Sequence, residues 1–345
     1  MGTATHFAGI DVSKDTLDAC LLGQDGRTRG DRFANDAKGH AALAAWADRH
    51  AAGAAVHYCM EATGPYSEGV AAHLHAAGRL VRVANPARVK AHVRACGQGN
   101  KTDPADARAI ATFARNREPR AWVPPSPEVG RLQSFVRRHA DVVELAAREK
   151  GRLASPALAP DERKSVARTA RFLERAAGKL RTAADALVAA TPALAADRGL
   201  LEGIPGVGRQ TATTILAELP AVERLPSAES AAAYCGLAPT EFRSGTSVRK
   251  RTRLSKAGNP RLRKALFLPA QAAVRFNPIV RAFYARLVAA GKPKMSAVGA
   301  CMRKLVMICY GVLKSRTPFD PAHPGPARPG RPGAQPGIPS PADPN

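Results

Sequence analysis

Aromatic side chains are scarce in this chain, at 5% of 345 residues, which leaves little for a protein that holds its ligand by stacking on rows of exposed rings. Acidic side chains are few as well: 28 Asp and Glu stand against 52 Lys and Arg, a formal net charge of +24. The six cysteines (Cys20, Cys59, Cys96, Cys235, Cys301, Cys309) are scattered without a Cys-x-x-Cys pair, and four fall in apolar surroundings. That pattern reads as buried reduced thiols rather than a disulfide framework or a zinc site. No apolar run reads as a membrane span; the nearest, VGACMRKLVMICYGVL, carries Arg303 and Lys304 in its middle and is expected to be an amphipathic or core helix. The opening MGTATHFAGIDVSK has no basic stretch followed by an apolar core and a small-residue cleavage site, so no secretory signal is expected and a cytoplasmic, nucleoid-associated protein is.

What is present points to a polyanion. An excess of this size raises the local concentration of nucleic acid and steers it onto the surface, the plainer alternative being a basic ribosome- or membrane-associated protein. A hydrophobic share of 45% excludes a wholly disordered chain. At about 150 residues per domain, the length fits two domains and a connecting element.

The first third alternates strand-like and helical runs. HFAGID, TLDACLL and TRGDRFAN read as three meandering strands, with Gly23-Gln24-Asp25-Gly26 as a tight turn between the second and third. A helix over 38–50, a buried strand AAVHYCM, a helix over 66–77, a strand RLVRVA and a helix over 86–94 follow. Asp103 then caps a helix to about Arg115, with Pro104 at its first position. The order is β-β-β-α-β-α-β-α, an antiparallel meander joined to parallel crossovers. The proline-rich EPRAWVPPSPEVG marks a boundary, so the first domain is read as 1–125. A helical connector is expected over 126–190, with long helices at 132–153 and 166–188 as a possible antiparallel pair; a helical domain follows over 191–317, and a disordered Pro/Gly-rich tail over 318–345.

Four acids stand out. Asp11 follows the apolar strand FAGI, Glu61 follows AAVHYCM, and Asp103 and Asp106 sit three apart at a helix start. A fourth strand packed beside the first would bring Asp11 and Glu61 together at one end of the sheet. Grouped carboxylates repel unless a cation compensates them, and oxygen-only ligands suit Mg²⁺, which often bridges substrate phosphates. Singly, each has a plainer reading: Asp103 as an N-cap, Asp106 as a first-turn acid, Asp11 as a turn residue.

In the second half, LLEGIPGVGRQTATTILAEL reads as helix, tight glycine turn and helix. Gly206 and Gly208 would let backbone amides approach a phosphate ahead of Arg209, a helix-hairpin-helix pattern, or would serve simple turn geometry. The most basic segment gathers Arg243, Arg249, Lys250, Arg251, Arg253, Lys256, Arg261, Arg263 and Lys264 around small and hydroxyl residues. It can neutralise several phosphates, or simply be a solvated basic surface. Within it Ser244 precedes Gly245 in an expected loop, with Thr246, Ser247 and Ser255 nearby; a serine beside phosphate-holding arginines can attack phosphorus, although Ser-Gly alone is only a loop.

GIDVSK, MEATGPY and NKTDPADARAIA closely resemble the N-terminal domain of the DEDD transposases of the IS110 insertion-sequence family, and GLAPTEFRSGTSVR and LSKAGNPRLRKALF resemble their C-terminal domain. The matching blocks run from about Phe7 to about Phe319. The resemblance implies an α/β RuvC-like (RNase H-type) N-terminal domain, long helices, and an α-helical C-terminal domain. It implies Mg²⁺, or Mn²⁺ in its place, held by Asp11, Glu61, Asp103 and Asp106, and Ser244 as the nucleophile, with Ser247 its main competitor. It implies donor and target DNA, a non-coding bridge RNA that pairs with both, and a homo-oligomer, dimer or tetramer, in which one subunit's acids serve another's serine. Leaving sequence choice to RNA suits a chain with no recognisable base-reading module. Two alternatives remain at this point: a metal-dependent junction resolvase-like nuclease using water, and a non-catalytic nucleic-acid-binding protein.

Overall fold

The computed structural model describes residues 5–95, 103–244 and 248–322. The chain divides into two compact units, Met1–Arg138 and His139–Asn345. In the first, the expected meander forms as β1 (Thr5–Val12), β2 (Thr16–Leu22) and β3 (Thr28–Ala34). Gly26 closes the second turn with φ of 79°, a value that glycine reaches without steric cost. Then come α1 (Ala37–Ala51), β4 (Ala55–Glu61), α2 (Pro65–Ala76), β5 (Leu80–Ala84), α3 (Pro86–Ala95) and α4 (Asp103–Arg117). The sheet order is β3-β2-β1-β4-β5, antiparallel across the meander and parallel from β1 through β4 to β5. This meander joined to parallel crossovers is the order read from the sequence, and it is consistent with the RuvC-like fold that the resemblance implied.

Strand alternation sends apolar side chains to both faces. Ile10, Leu17, Tyr58 and Met60 pack with Leu43 and Trp46 of α1 and with Val70 and Leu74 of α2. Phe7, Leu22, Cys59 and Ala84 pack on the other side with Val89 of α3 and Ile110 and Phe113 of α4. Each large side chain so buried contributes about 1.5–3 kcal/mol. Gly9 decides how close α4 can come. A Cβ there would stand 2.1 Å from the Ala107 carbonyl oxygen and 2.3 Å from the Ala111 nitrogen. The α4 backbone therefore rests directly on β1.

Helix α5 (Pro127–Leu153) carries the chain into the second unit and is followed by α6 (Pro160–Ala190). Both start earlier than their apolar periodicity indicated, because a proline at the first helical position loses no hydrogen bond there. Glu162 supports the α6 start by accepting the Ala159 N–H at 3.2 Å. The two run antiparallel: Lys150 pairs with Glu174, and Arg163 donates to the carbonyls of Leu153 at 2.8 Å and Ser155 at 3.0 Å across the turn. Next are α7 (Pro192–Glu202), α8 (Arg209–Glu218), a 3-10 turn at Val222–Arg224, α9 (Ala228–Tyr234), β6 (Pro239–Ser244), β7 (Val248–Leu254), α10 (Pro260–Ala265), α11 (Phe267–Phe276), α12 (Pro278–Ala289) and α13 (Lys294–Ser315).

The antiparallel β6–β7 pair corrects the expectation of a wholly helical C-terminal domain. VRKRTRL has no apolar alternation to announce a strand, and its pairing supplies the order instead. Helix α13 is long and apolar enough by composition to cross a membrane. It packs against α7, α9, α11 and α12, with Ala297, Cys301, Leu305, Val306 and Cys309 buried, as a core helix does. The five described cysteines are buried and free, and burial pushes the thiols of Cys59, Cys235 and Cys309 up to about 12. Cys96 and most of the Pro/Gly-rich tail, residues 323–345, lie outside the described residues.

Gly9→Val is expected to cost about 1–3 kcal/mol of stability by forcing α4 away from β1. Gly30→Val on β3, where a Cβ would meet only the Ala19 carbonyl oxygen at 3.6 Å, should leave the urea midpoint nearly unchanged. Equal losses in the two variants would contradict the close approach at Gly9.

Candidate active site

Register brings Asp11 and Glu61 together. Gly9 pairs with Cys59 and Ile10 with Met60 between the parallel strands β1 and β4, so the next residue on each strand is an acid at the same end of the sheet. Ile10 and Met60 project toward α1 and α2; by alternation Asp11 and Glu61 project to the opposite face, where α4 lies. The Gly9 contact holds the first turns of α4 there, and Asp106 comes within electrostatic reach of Glu61. All three acids are half-buried.

Their mutual charge is visible in Glu61. Its carboxyl is held above the ordinary value first by burial, then by the neighbouring Asp11 and, more weakly, Asp106, with Lys90 of α3 opposing. Two carboxylates crowding a third, with one lysine in reach, is an arrangement in which the charged forms want a cation. The donor set is all oxygen and fits a hard divalent ion such as Mg²⁺ or Mn²⁺. Among the described residues no three His, Cys, Asp or Glu side chains are drawn tightly enough to enclose an ion. The fourth candidate, Asp103, begins α4, and its side chain lies outside the described residues.

Two charged residues near these acids were not legible as site residues. Asp18 on β2 stands opposite Asp11 in the antiparallel register and is buried at 7% exposure. The exposed Arg32 of β3 donates from Nε to its Oδ1 at 2.8 Å, so this acid already has a cationic partner. The available signal was an acid in the middle of an otherwise apolar strand, TLDACLL. Lys90 gave no signal beyond its charge.

The second unit carries the remaining candidates. Ser244 was expected in a loop; it is instead the last residue of β6, paired with Val248, while Arg243 pairs with Arg249 and Phe242 with Lys250. Gly245, Thr246 and Ser247 lie outside the described residues, as do the side chains of residues 241–252, Arg243, Ser244, Arg249, Lys250 and Arg251 among them. The stem of this hairpin is built closely. A Cβ on Gly258 would stand 2.3 Å from the Gly236 nitrogen, and Gly236 has φ of 69°. Ser255 N–H donates to the Ala238 carbonyl at 2.9 Å, Lys256 N–H to Gly236 at 3.1 Å, and Asn259 N–H to Tyr234 at 2.7 Å. Arg263 belongs to this stem, donating from one terminal nitrogen to the carbonyls of Cys235 at 3.3 Å and Lys256 at 3.1 Å. Asn259 donates from Nδ2 to the buried Glu218 at 2.9 Å and accepts the Arg261 and Leu262 amides at the start of α10.

Arg253, Lys256, Arg261 and Lys264 are exposed. Gly206 has φ of 102°, and a Cβ there would stand 2.8 Å from the Ala273 backbone, so internal packing already requires this glycine. Gly208 caps α8 with open space around it, and Arg209 pairs with Glu202 at 3.6 Å across the turn.

Comparison with known proteins covers both units. Residues 8–158 match a DEDD transposase family model, and residues 198–285 match the model described as transposase IS116/IS110/IS902 family. Pilin gene-inverting proteins of Moraxella bovis and Moraxella lacunata are each 30% identical over 317 residues, 91% of this chain and 97% of theirs. An uncharacterized 43.6 kDa protein of insertion element IS110 from Streptomyces coelicolor is 33% identical over 121 residues, 35% of this chain and 30% of its own length.

The raised Glu61 carboxyl makes a signed prediction. A carboxyl whose folded value exceeds its unfolded one contributes stability below the unfolded value, about 4.3, and loses it as pH rises through the folded value. At neutral pH without divalent ions, Glu61→Gln should therefore raise the thermal midpoint. Adding Mn²⁺ should raise it in the wild type and less in the variant. A variant that melts lower in both buffers would contradict charge crowding at this site.

Proposed function

Since the chain belongs to the IS116/IS110/IS902 transposase family, whose members are DNA transposases and recombinases, we propose that it cuts and rejoins DNA with a composite site of four acids and one serine. The observation that carries this is the gathering of Asp11, Glu61 and Asp106 on one sheet face under α4. Two of the matched relatives are named as inverting a pilin gene, and inversion needs strands broken at two places and rejoined with new partners.

Asp11, Glu61, Asp103 and Asp106 would hold Mg²⁺, or Mn²⁺ in its place, which when bound supplies positive charge to the scissile phosphate. Ser244 Oγ attacks phosphorus: the serine loses its proton, a serine–phosphate ester forms, and the strand oxygen leaves carrying a proton. The ester conserves the bond, so a hydroxyl from a second strand can attack it and free the serine without an energy source. The tied hairpin stem, from Gly236 and Gly258 to Arg263 and Asn259, supports this role by giving the serine a fixed base.

The exposed Arg253, Lys256, Arg261 and Lys264, with Arg243, Arg249, Lys250 and Arg251 in the same segment and Gly206, Gly208 and Arg209 at the α8 turn, would run along phosphates as a helix-hairpin-helix with a basic hairpin. A chain so short of aromatic residues suits sequence choice by a bridge RNA, with the protein reading backbone. A homo-oligomer, two or four copies, would let acids and serine meet between subunits.

The test is a denaturing trap during reaction with donor and target DNA. Wild type should leave protein covalently on a strand. Ser244→Ala should leave none and lose on the order of 10³-fold or more in rate, as should Asp11→Asn. Strand cleavage without attached protein would favour water as nucleophile. Nucleic-acid affinity should fall by on the order of 10³-fold from low to physiological salt; a flat profile would contradict backbone binding.

A further inference from the structure

The segment FANDAKGH, residues 33–40, has no part in the chemistry described above, yet every polar residue in its NDxxGH core is engaged. Asp36 caps α1, accepting the Gly39 N–H at 2.8 Å. Gly39 is obligatory, because a Cβ there would stand 1.9 Å from the Ala34 carbonyl oxygen. These two fix the first turn of α1 against the end of β3. His40, on that turn, is buried at 8% exposure and bonds through Nε2 to Asn35 Oδ1 at 2.8 Å. Asn35 then spans two other segments with its amide nitrogen, donating to the Ser13 carbonyl at 2.8 Å and the Tyr66 carbonyl at 3.1 Å. Its own N–H donates to the Asp15 carbonyl at 2.9 Å.

The two segments that Asn35 joins are those leaving the acid-bearing strands. Ser13 follows Asp11 by two residues in GIDVSK, and Tyr66 ends the MEATGPY stretch that begins beside Glu61. The turn after Asp11 is itself closed by Ser13 and Thr16, with Ser13 N–H donating to Thr16 O at 2.9 Å and Thr16 N–H to Ser13 Oγ at 2.9 Å. With both amide hydrogens of Asn35 given to carbonyls, its oxygen must accept, so His40 carries its proton on Nε2. Burial first, and then the facing His73, hold the His40 imidazole below its usual range, against the opposing pull of Asp36.

We infer that Asn35, oriented by His40, is a positioning residue that clamps the chain beyond Asp11 to the chain beyond Glu61 and so sets the separation of the two carboxylates. This rests on the reading that those acids hold a divalent cation. Groups that hydrogen-bond metal ligands directly commonly change metal affinity by about 10–100-fold when removed, and a clamp acting through the flanking chain belongs at the low end of that range.

The experiment titrates Mn²⁺ alone into the full chain at 25 °C, followed by electron paramagnetic resonance, with thermal midpoints measured in parallel. Asn35→Ala should bind Mn²⁺ about tenfold more weakly, and Asn35→Asp no better, since it lacks both donors. His40→Ala should weaken binding in the same direction, and His40→Gln, whose amide can donate from the position of Nε2, should restore it to within about twofold. If Asn35→Ala fails to fold, the His40 pair is decisive by itself: weakening in His40→Ala with rescue in His40→Gln supports the clamp, and wild-type affinity in both overturns it. A lower thermal midpoint with unchanged Mn²⁺ affinity in Asn35→Ala also overturns it, as a purely structural bond. Asp11→Asn separates the two claims. If it binds Mn²⁺ like wild type, the cation reading fails; if it loses binding while Asn35→Ala keeps it, only the clamp fails.

Discussion

The contact of α4 with β1 at Gly9 is the constraint on which the site depends. Two backbones meet with no side chain between them, and this depth of approach delivers Asp106 to the end of the sheet where Asp11 and Glu61 already stand. Any larger residue would hold the helix off by the thickness of its side chain. The approach is stabilised by apolar burial of Phe7, Leu22, Ile110 and Phe113 on the same face. That burial offsets the repulsion built into three neighbouring carboxylates, which on its own would favour letting α4 go.

The protein treats its acids in two ways. Asp18 lies opposite Asp11 on the next strand and is paired at 2.8 Å with the exposed Arg32 guanidinium, so its charge is already met by the protein. Glu61 has only Lys90 opposing two acids, and its carboxyl is held high as a result. A carboxyl crowded in this way is costly in a scaffold and useful in a site, because an incoming cation relieves the repulsion and can then hold a phosphate. The second unit shows the same division among its cations. Arg263 is committed to carbonyls of the hairpin stem and Arg209 pairs with Glu202, whereas Arg253, Lys256, Arg261 and Lys264 stand open to solvent.

Much of the first unit was legible in the sequence because its signals are local. Apolar runs ending in acids gave β1, β4 and the positions of Asp11 and Glu61, and Asp103 with Pro104 gave the start of α4. The strand order followed from a meander feeding a crossover. What escaped depends on register or close packing. Asp18 matters only because β2 turns back to place it opposite Asp11, and Asn35 only because three distant segments converge on one amide. The β6–β7 hairpin was hidden because a run of arginines and lysines has no apolar period, which also moved Ser244 from an expected loop to a strand end. Gly236 and Gly258 let two backbones touch, a role that only the folded contact reveals.

The central claim is that Asp11, Glu61 and Asp106 form one cation site under α4. Anomalous diffraction from crystals of the protein grown with Mn²⁺ addresses it most directly. The account predicts a single strong anomalous centre, or a close pair, among those three carboxylates, with Asp103 completing the ligands. Mn²⁺ bound elsewhere while the carboxylates of Asp11 and Glu61 turn away from each other would contradict it.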